Sequence, residues 1–202
     1  MRIGFWSNDS QSGTTSGMLA IAAMTSLLYP DVQVSVKRLR SGSATSVKIK
    51  ACLSKREQEI CFLDCGTGFS GDKLQLLEQM DLVVVSVKQD AQRLDRFFME
   101  DRLLLPDTLL LLGDYYGDFF AGRCYLEHRY RLTSQQFGVI FHNGAFGYAV
   151  CRRRIAQFVR KEYQKPQSME NERMIFELER FTRCMINHCT EKRKGGNQIW
   201  NR

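Results

Sequence analysis

Short apolar runs alternate along the chain with longer stretches in which apolar residues recur every three or four positions. The short runs predict strands, and several are apolar throughout, as strands covered on both faces must be; they span residues 2–7, 32–37, 59–64, 81–87, 108–113 and 137–141. The longer stretches predict helices over residues 13–28, 72–79, 90–104, 121–130, 144–163 and 169–188. This alternation indicates a doubly wound α/β fold, a mostly parallel sheet flanked by helices.

The composition agrees with one folded domain. Of the 202 residues, 44% are hydrophobic and only three are proline, so the chain can bury enough surface to offset conformational entropy. We expect one α/β domain over residues 1–190 and a flexible, basic C-terminal tail over residues 191–202. No run approaches the ~20 apolar residues of a membrane span, and the N-terminus lacks the apolar core of a signal peptide. The sequence therefore predicts a cytoplasmic protein.

The charge of +7 lies entirely in the last quarter of the chain. Residues 1–150 carry 16 basic and 16 acidic residues, whereas residues 151–202 carry 13 basic and 6 acidic ones. In the helix predicted over 144–163, Arg153 and Arg160 share one face, and Arg154 and Lys161 share a flank beside a buried stripe that includes Tyr148 and Cys151. These four basic residues predict a surface for nucleic acid, anionic lipid or an acidic protein, and the alternative is a solubilising helix face.

The cysteines and histidines predict no catalytic or metal centre. Seven cysteines are scattered, mostly among apolar neighbours, which is typical of reduced packing residues. His128, His142 and His188 have no companions at ligand spacing. No catalytic residue is assigned from the sequence.

The segment that follows the first predicted strand is the strongest candidate site. A buried strand there opens into a loop rich in Ser, Thr and Gly and then into a helix, an arrangement that binds phosphate through free backbone N–H groups. The candidate phosphate-binding residues are Ser10, Gln11, Ser12, Gly13, Thr14, Thr15 and Ser16. The alternative is a turn whose hydroxyl side chains only cap the helix.

The order of the motifs resembles the ParA/MinD-type P-loop ATPases. Residues 4–16 are similar to the opening strand and Walker A loop of that superfamily, and residues 60–68 to its switch segment. Residues 81–86, 109–115 and 139–143 resemble its later strands, so the resemblance covers nearly the whole chain. The chain is most similar to small, divergent ParA-like proteins of Gram-positive bacteria, some of them related to TadZ-type pilus-assembly factors.

The resemblance implies roles for individual residues. Thr15 and Asp64 would hold Mg²⁺ beside ATP or ADP, and Gly68 would sense the terminal phosphate. Asp114, His142 and Asn143 would lie beside the base, with Asp114 in the place of an asparagine that contacts adenine.

The departures from the superfamily predict weak or absent hydrolysis. Thr14 stands in place of the phosphate-binding lysine, and Asp9 in place of the second, dimer-crossing lysine, which makes the Walker A loop degenerate. Losing a lysine there removes charge neutralisation that phosphoryl transfer requires. Lys37, Arg38 and Arg40 end the second strand where an aspartate is expected. One of them, or Lys88, would reach a phosphate, or each is an ordinary surface charge.

The expected function is therefore that of a degenerate ParA/MinD-like nucleotide-binding protein, an assembly or positioning factor for a pilus or secretion apparatus. Its implied partners are protein components of that machinery, non-specific DNA or an anionic membrane reached from the cytoplasm, and a second copy in a homodimer. One alternative is a flavodoxin-like electron-transfer domain, because residues 10–15 also fit a lysine-free loop for the FMN phosphate. A DNA-partitioning ParA-like protein is another.

Overall fold

The computed structural model describes residues 1–7, 9–10, 12–40, 43–48, 59–68, 71–100, 108–118 and 121–199. Within these ranges, the side chains of residues 39–40, 43–48, 71–72 and 192–199 are not described. Gln11 of the predicted phosphate loop lies outside the described residues.

The strands and helices follow one another in the predicted alternation. The strands are β1 (Arg2–Ser7), β2 (Gln33–Arg40), β3 (Ser43–Lys48), β4 (Glu59–Thr67), β5 (Leu82–Lys88), β6 (Thr108–Tyr115) and β7 (Phe137–Phe141). The helices are α1 (Thr14–Leu28), α2 (Gly71–Glu78), α3 (Ala91–Met99), α4 (Arg123–Tyr130), α5 (Gly144–Cys151), α6 (Ile155–Gln164) and α7 (Met169–Ile199). All six predicted strands are confirmed, and β1 and β7 have the predicted bounds.

The strands form one seven-stranded sheet in the order β3-β2-β4-β1-β5-β6-β7. All neighbours pair in parallel except β3, which pairs antiparallel with β2 at the edge. Because β4 lies between β1 and β2, the sheet differs from the flavodoxin order, in which the first two strands are adjacent. The sheet order therefore argues against the FMN alternative.

Right-handed crossovers divide the helices between the two faces of the sheet. The chain moves from β1 towards β2 on one side, so α1 covers one face, where it packs against α6 and α7. It then moves from β4 through β5 and β6 to β7 in the opposite direction, which places α2, α3 and α4 on the other face. On that face Asp95 of α3 accepts hydrogen bonds from Arg129 and Tyr130 of α4.

The helix predicted over residues 144–163 is wrong in one respect, because it is broken into α5 and α6. Arg153 has a φ of 57°, a left-handed conformation that no helix continues through. The predicted buried stripe is present in α6, where Ile155 and Val159 are buried, but Tyr148 is 63% exposed and Cys151 is exposed as well. On α5 the buried residues are instead Phe146 and Ala149.

One further strand and the ends of two helices also differ from the prediction. Strand β3 was not predicted, and α3 ends at Met99, while residues 101–107 lie outside the described part of the chain. Helix α7 continues to Ile199 and so enters residues 191–202, whose role as a flexible tail stays a prediction.

No helix in the described residues is long and apolar enough to span a bilayer.

Replacing Gly138 by alanine is expected to destabilise the fold. A Cβ on Gly138 in β7 would overlap the ring of Phe181 in α7, which is 1% exposed and has little room to move. Overpacking of this kind costs about 1–3 kcal/mol of unfolding free energy. The measurement is urea unfolding, with Gly147→Ala as control, because a Cβ at that position in α5 meets no atom within 4 Å. The control should be neutral or stabilising, and an equally stable Gly138→Ala would contradict the packing of α7 on β7.

Candidate functional site

The parallel strands bring the ends of β1, β4, β5, β6 and β7 to one edge of the sheet. In open α/β sheets, ligands bind beyond the carboxyl ends of the strands. The loop from β1 to α1 lies at the centre of this edge, between the loop after β4 and the ends of β5 and β6. The predicted site residues of all these segments are therefore on one edge, as expected.

Hydroxyl groups hold the β1–α1 loop together from inside. Ser12 Oγ donates to Ser7 Oγ at 2.6 Å and lies 2.9 Å from Thr14 Oγ1. Ser7 Oγ in turn donates to the Asp9 carbonyl and accepts from the Asp9 amide. Ser12 and Thr14 are both buried. The Thr14 side chain therefore supports the loop and brings no positive charge to a ligand.

Gly13 ends the loop and begins α1 in a conformation suited to an anion. Its φ of 78° is left-handed, where an L side chain would be strained, and it caps α1 without a side-chain hydrogen bond. No acidic residue lies in the first turn of the helix, and the Ser16 hydroxyl points back to the Gly13 carbonyl at 2.9 Å. The backbone N–H groups of this turn and the positive end of the helix dipole face outward, as in sites that bind phosphate.

A cavity of about 230 Å³ opens beside Gly13, between the ends of β5, β6 and β7. It is smaller than the ~300–1,000 Å³ of most ligand pockets, so it would enclose only part of a nucleotide. Its described lining residues come from both sides of the edge: Ser12, Gly13, Ser16, Lys88, Gly113, Asp114, Ile140, Phe141, His142, Asn143, Gly144, Phe146 and Gly147. Gly113 is needed there, because a Cβ would lie 2.8 Å from the Ser12 carbonyl oxygen.

Lys88 is the cation of this cavity. It lies at the end of β5, and among the described lining residues it is the only lysine or arginine. Within the described residues its ammonium group makes no hydrogen bond or ion pair. A half-buried cation that has no described partner and lies close to the N-terminus of a helix favours an anionic ligand.

Asp64 lies on the other side of the loop, at the end of β4, and joins three elements. Its Oδ2 accepts from Thr15 Oγ1 of α1 at 2.7 Å, and its Oδ1 accepts from the Gly66 amide at 3.1 Å. Arg38, its register partner on β2, places Nε 3.4 Å from Oδ2. The two residues predicted for Mg²⁺, Thr15 and Asp64, are therefore in contact.

The donor atoms of Thr15 and Asp64 are of the kind that Mg²⁺ binds, but the charge beside them opposes a cation. A threonine hydroxyl beside a carboxylate supplies the oxygen ligands that Mg²⁺ prefers. However, the Arg38 guanidinium approaches the same carboxylate oxygen, so an ion bound there would face a positive charge. In this arrangement the residues do not fit Mg²⁺.

Gly68, the predicted phosphate sensor, is tied to the first strand. Its amide donates to the Ser7 carbonyl at 3.0 Å, and its carbonyl accepts from the indole N–H of Trp6 at 3.1 Å. The switch segment is thus fastened to β1 in this structure.

Asp114 and His142 form a pair at the outer end of the cavity. Asp114 Oδ1 lies 2.6 Å from His142 Nδ1, and the imidazole stacks on the Tyr116 ring with centroids 4.6 Å apart. Asp114 has a φ of 53°, which turns its carboxylate towards the end of β7. The two residues predicted beside a base are therefore together, and the Tyr116 ring supports the imidazole.

The side-chain amide of Asn143 is used in hydrogen bonds within the protein. Its Oδ1 accepts from the Phe146 amide and caps α5, while its Nδ2 donates to Asn171 Oδ1 at 2.7 Å. Asn171 Nδ2 donates in turn to Glu162 Oε2, and all three side chains are buried. Asn143 lines the cavity with its amide already satisfied, so the contact with a base predicted for it would require a rearrangement.

Asp9 and Ser10, on the outer side of the loop, face different surroundings. Asp9 forms an ion pair with Arg93 of α3, which neutralises its charge. Ser10 is exposed. The Arg93 partner was missed from the sequence, because α3 is distant in the chain and no motif marks that residue.

The site offers no activated nucleophile at Cys65. Burial, with the neighbouring Asp64 carboxylate, raises the pKa of this thiol to about 12, so it stays protonated at neutral pH. Among the described residues, no group of three or more His, Cys, Asp or Glu is placed to hold a metal ion.

The predicted polyanion residues lie away from the cavity, around the α5–α6 break. Arg153, Arg154, Arg160 and Lys161 are all exposed. Arg153 and Arg154 belong to the turn and only Arg160 and Lys161 to α6, so the predicted pairing of these side chains along one helix is wrong. Their role in polyanion binding stays a prediction.

The sheet order and the β1–α1 loop define an α/β P-loop NTPase fold. The structure is similar to that of the cell-division ATPase MinD of Pyrococcus furiosus, with a TM-score of 0.64 and 12% identity over 92% of this chain and 98% of that chain. It is also similar to a nucleotide-binding protein of Archaeoglobus fulgidus in complex with ADP, with a TM-score of 0.55 and 10% identity over 84% of this chain and 93% of that one. No family model and no curated protein matches the sequence. The ParA/MinD-like fold is thereby confirmed.

Proposed function

We propose that the protein binds an adenine nucleotide at this edge and acts as a ParA/MinD-like assembly or positioning factor with little or no hydrolysis. The observation that carries the proposal is Lys88, which has no side-chain partner among the described residues, in a cavity that leads to the N-terminus of α1, where no side chain caps the helix. The phosphates would lie over the first turn of α1, and the base would lie towards the His142–Asp114 pair. The ADP bound to the structurally similar Archaeoglobus protein supports the choice of ligand.

Weak hydrolysis follows from the charges around the loop. Thr14 is neutral and buried, and Asp9 pairs with Arg93, so the loop itself brings no free cation to the phosphates. Lys88 lies on the cavity side, away from Asp64. Phosphoryl transfer requires cations that neutralise charge as it develops on the phosphate oxygens.

The partners that we propose are protein components of a pilus or secretion apparatus, as expected of a TadZ-like branch, and a second copy of the chain. We propose a cytoplasmic location, with peripheral contact to the inner face of the membrane. A nucleotide would then act by binding and release.

Substituting Lys88 tests nucleotide binding. We expect ADP to bind the intact protein in isothermal titration calorimetry, and Lys88→Gln to weaken binding about tenfold, because a charge-assisted hydrogen bond to phosphate is lost. Lys37→Gln is the matched control, since it removes one exposed charge from β2 and should leave the Kd unchanged. If ADP does not bind the intact protein, nucleotide binding is refuted.

ATP turnover is expected to stay at background. The loss of a cation that stabilises the transition state removes about 100- to 1,000-fold in rate. The measurement is steady-state phosphate release by the purified chain with Mg²⁺, beside Asp64→Ala. Release at a rate usual for ParA-type ATPases, abolished by that substitution, would show that the site hydrolyses ATP efficiently.

DNA partitioning is the second candidate function, and the exposed basic cluster at the α5–α6 break favours it.

If Arg153, Arg154, Arg160 and Lys161 contact phosphates, counterion release lowers affinity about 100-fold between ~50 and ~200 mM salt. Retention on DNA and on anionic liposomes is measured for the intact chain and for the variant with all four changed to Ser. A control variant loses the same charge elsewhere, with Arg2, Lys37, Arg96 and Arg131 changed to Ser. Equal binding by the two variants would mean that the cluster is only solubilising.

A further inference from the structure

Arg38 lies near the carboxyl end of β2, beside the buried carboxylate of Asp64. It pairs in register with Asp64 across β2 and β4, and its Nε approaches the oxygen that also accepts from the Thr15 hydroxyl. The Asp64 side chain is 3% exposed, whereas the Arg38 side chain is 52% exposed. One end of this ion pair is thus fixed in the protein, and the other faces outward at the same edge as the N-terminus of α1.

The Arg38 guanidinium lies close to the Asp64 carboxylate, but the two groups are too far apart for a hydrogen bond of normal length. The 3.4 Å separation is longer than the ~2.7–3.2 Å of an N–H···O hydrogen bond. Asp64 already has hydrogen-bond donors on both oxygens, Thr15 Oγ1 on Oδ2 and the Gly66 amide on Oδ1. Among the described residues the Arg38 guanidinium contacts only this carboxylate. A further acceptor can therefore bind its N–H groups there, and the planar fork of arginine suits phosphate oxygens.

The strand order sets the direction of a bound nucleotide. The cavity with Lys88 lies on the β5 side of β1, and Arg38 lies on the opposite side, beyond β4. A nucleotide whose base lies at the His142–Asp114 end of the cavity extends its phosphates past Lys88 and over the first turn of α1 towards Thr15 and Arg38. The terminal phosphate then reaches the region where Thr15 and Asp64 would otherwise share a divalent cation.

We infer that Arg38 takes the place of Mg²⁺ in this site, so that the protein binds its nucleoside phosphate as the metal-free anion. A guanidinium supplies one positive charge and directed hydrogen bonds where the ion would supply two charges. This inference rests on the nucleotide binding proposed above. It adds that a divalent cation does not strengthen that binding.

The test is calorimetric titration of ADP with EDTA and with excess Mg²⁺. We expect the intact protein to bind ADP at least as tightly in EDTA, because Mg²⁺ converts free ADP into the complex that Arg38 repels. Arg38→Gln should weaken binding in EDTA about tenfold. In that variant Mg²⁺ should strengthen binding, since Thr15 and Asp64 remain and the opposing charge is gone.

Two further variants separate charge from folding. Arg38→Lys keeps the charge, so it should keep binding independent of Mg²⁺. Arg96→Gln, which removes an exposed charge from α3, should behave as the intact protein. ADP binding by the intact protein that requires Mg²⁺ would overturn the inference and leave the proposed function standing. So would an Arg38→Gln variant whose ADP binding in EDTA equals that of the intact protein. No ADP binding in either buffer would overturn the proposed function and this inference together.

Discussion

A buried carboxylate must be paired with hydrogen-bond donors or a cation, and Asp64 is such a carboxylate. The arrangement of the site follows from how this requirement is met. An unpaired charge at that depth would be strongly destabilising. Its partners come from the first turn of α1, from β2 and from Gly66 on β4 itself, so α1, β2 and β4 meet at this carboxylate. The contact therefore ties the N-terminal turn of α1 to the sheet.

Much of the fold was predictable because buried parallel strands leave a strong pattern. β1 and β7 were predicted with their correct bounds, since each is an apolar run that ends in polar residues. β3 was not, because its Ser43–Lys48 segment is largely polar and pairs only at the sheet edge. The break between α5 and α6 was missed as well, since Arg153 adopts a positive φ without the glycine that usually marks one.

The site was predictable to the extent that it depends on strand ends. Asp64 and Asp114 lie near the carboxyl ends of β4 and β6, His142 follows β7, and parallel pairing brings all three to one edge. Their partners are set by packing between distant elements, which no local pattern records. Asn143 is the clearest example, because its partner Asn171 lies on α7 and fixes it as a helix cap. That buried chain, continued to Glu162, also ties the edge of the cavity to the C-terminal helices.

The ion pair between Asp9 and Arg93 makes the two positions interdependent. A single Asp9→Lys substitution would place two cations face to face, and the repulsion would push the loop away from α3. A cation is accommodated at position 9 without this penalty only if position 93 changes as well. The stability effects of substitutions at these two positions will therefore not add, and the cost of changing either residue depends on which residue occupies the other.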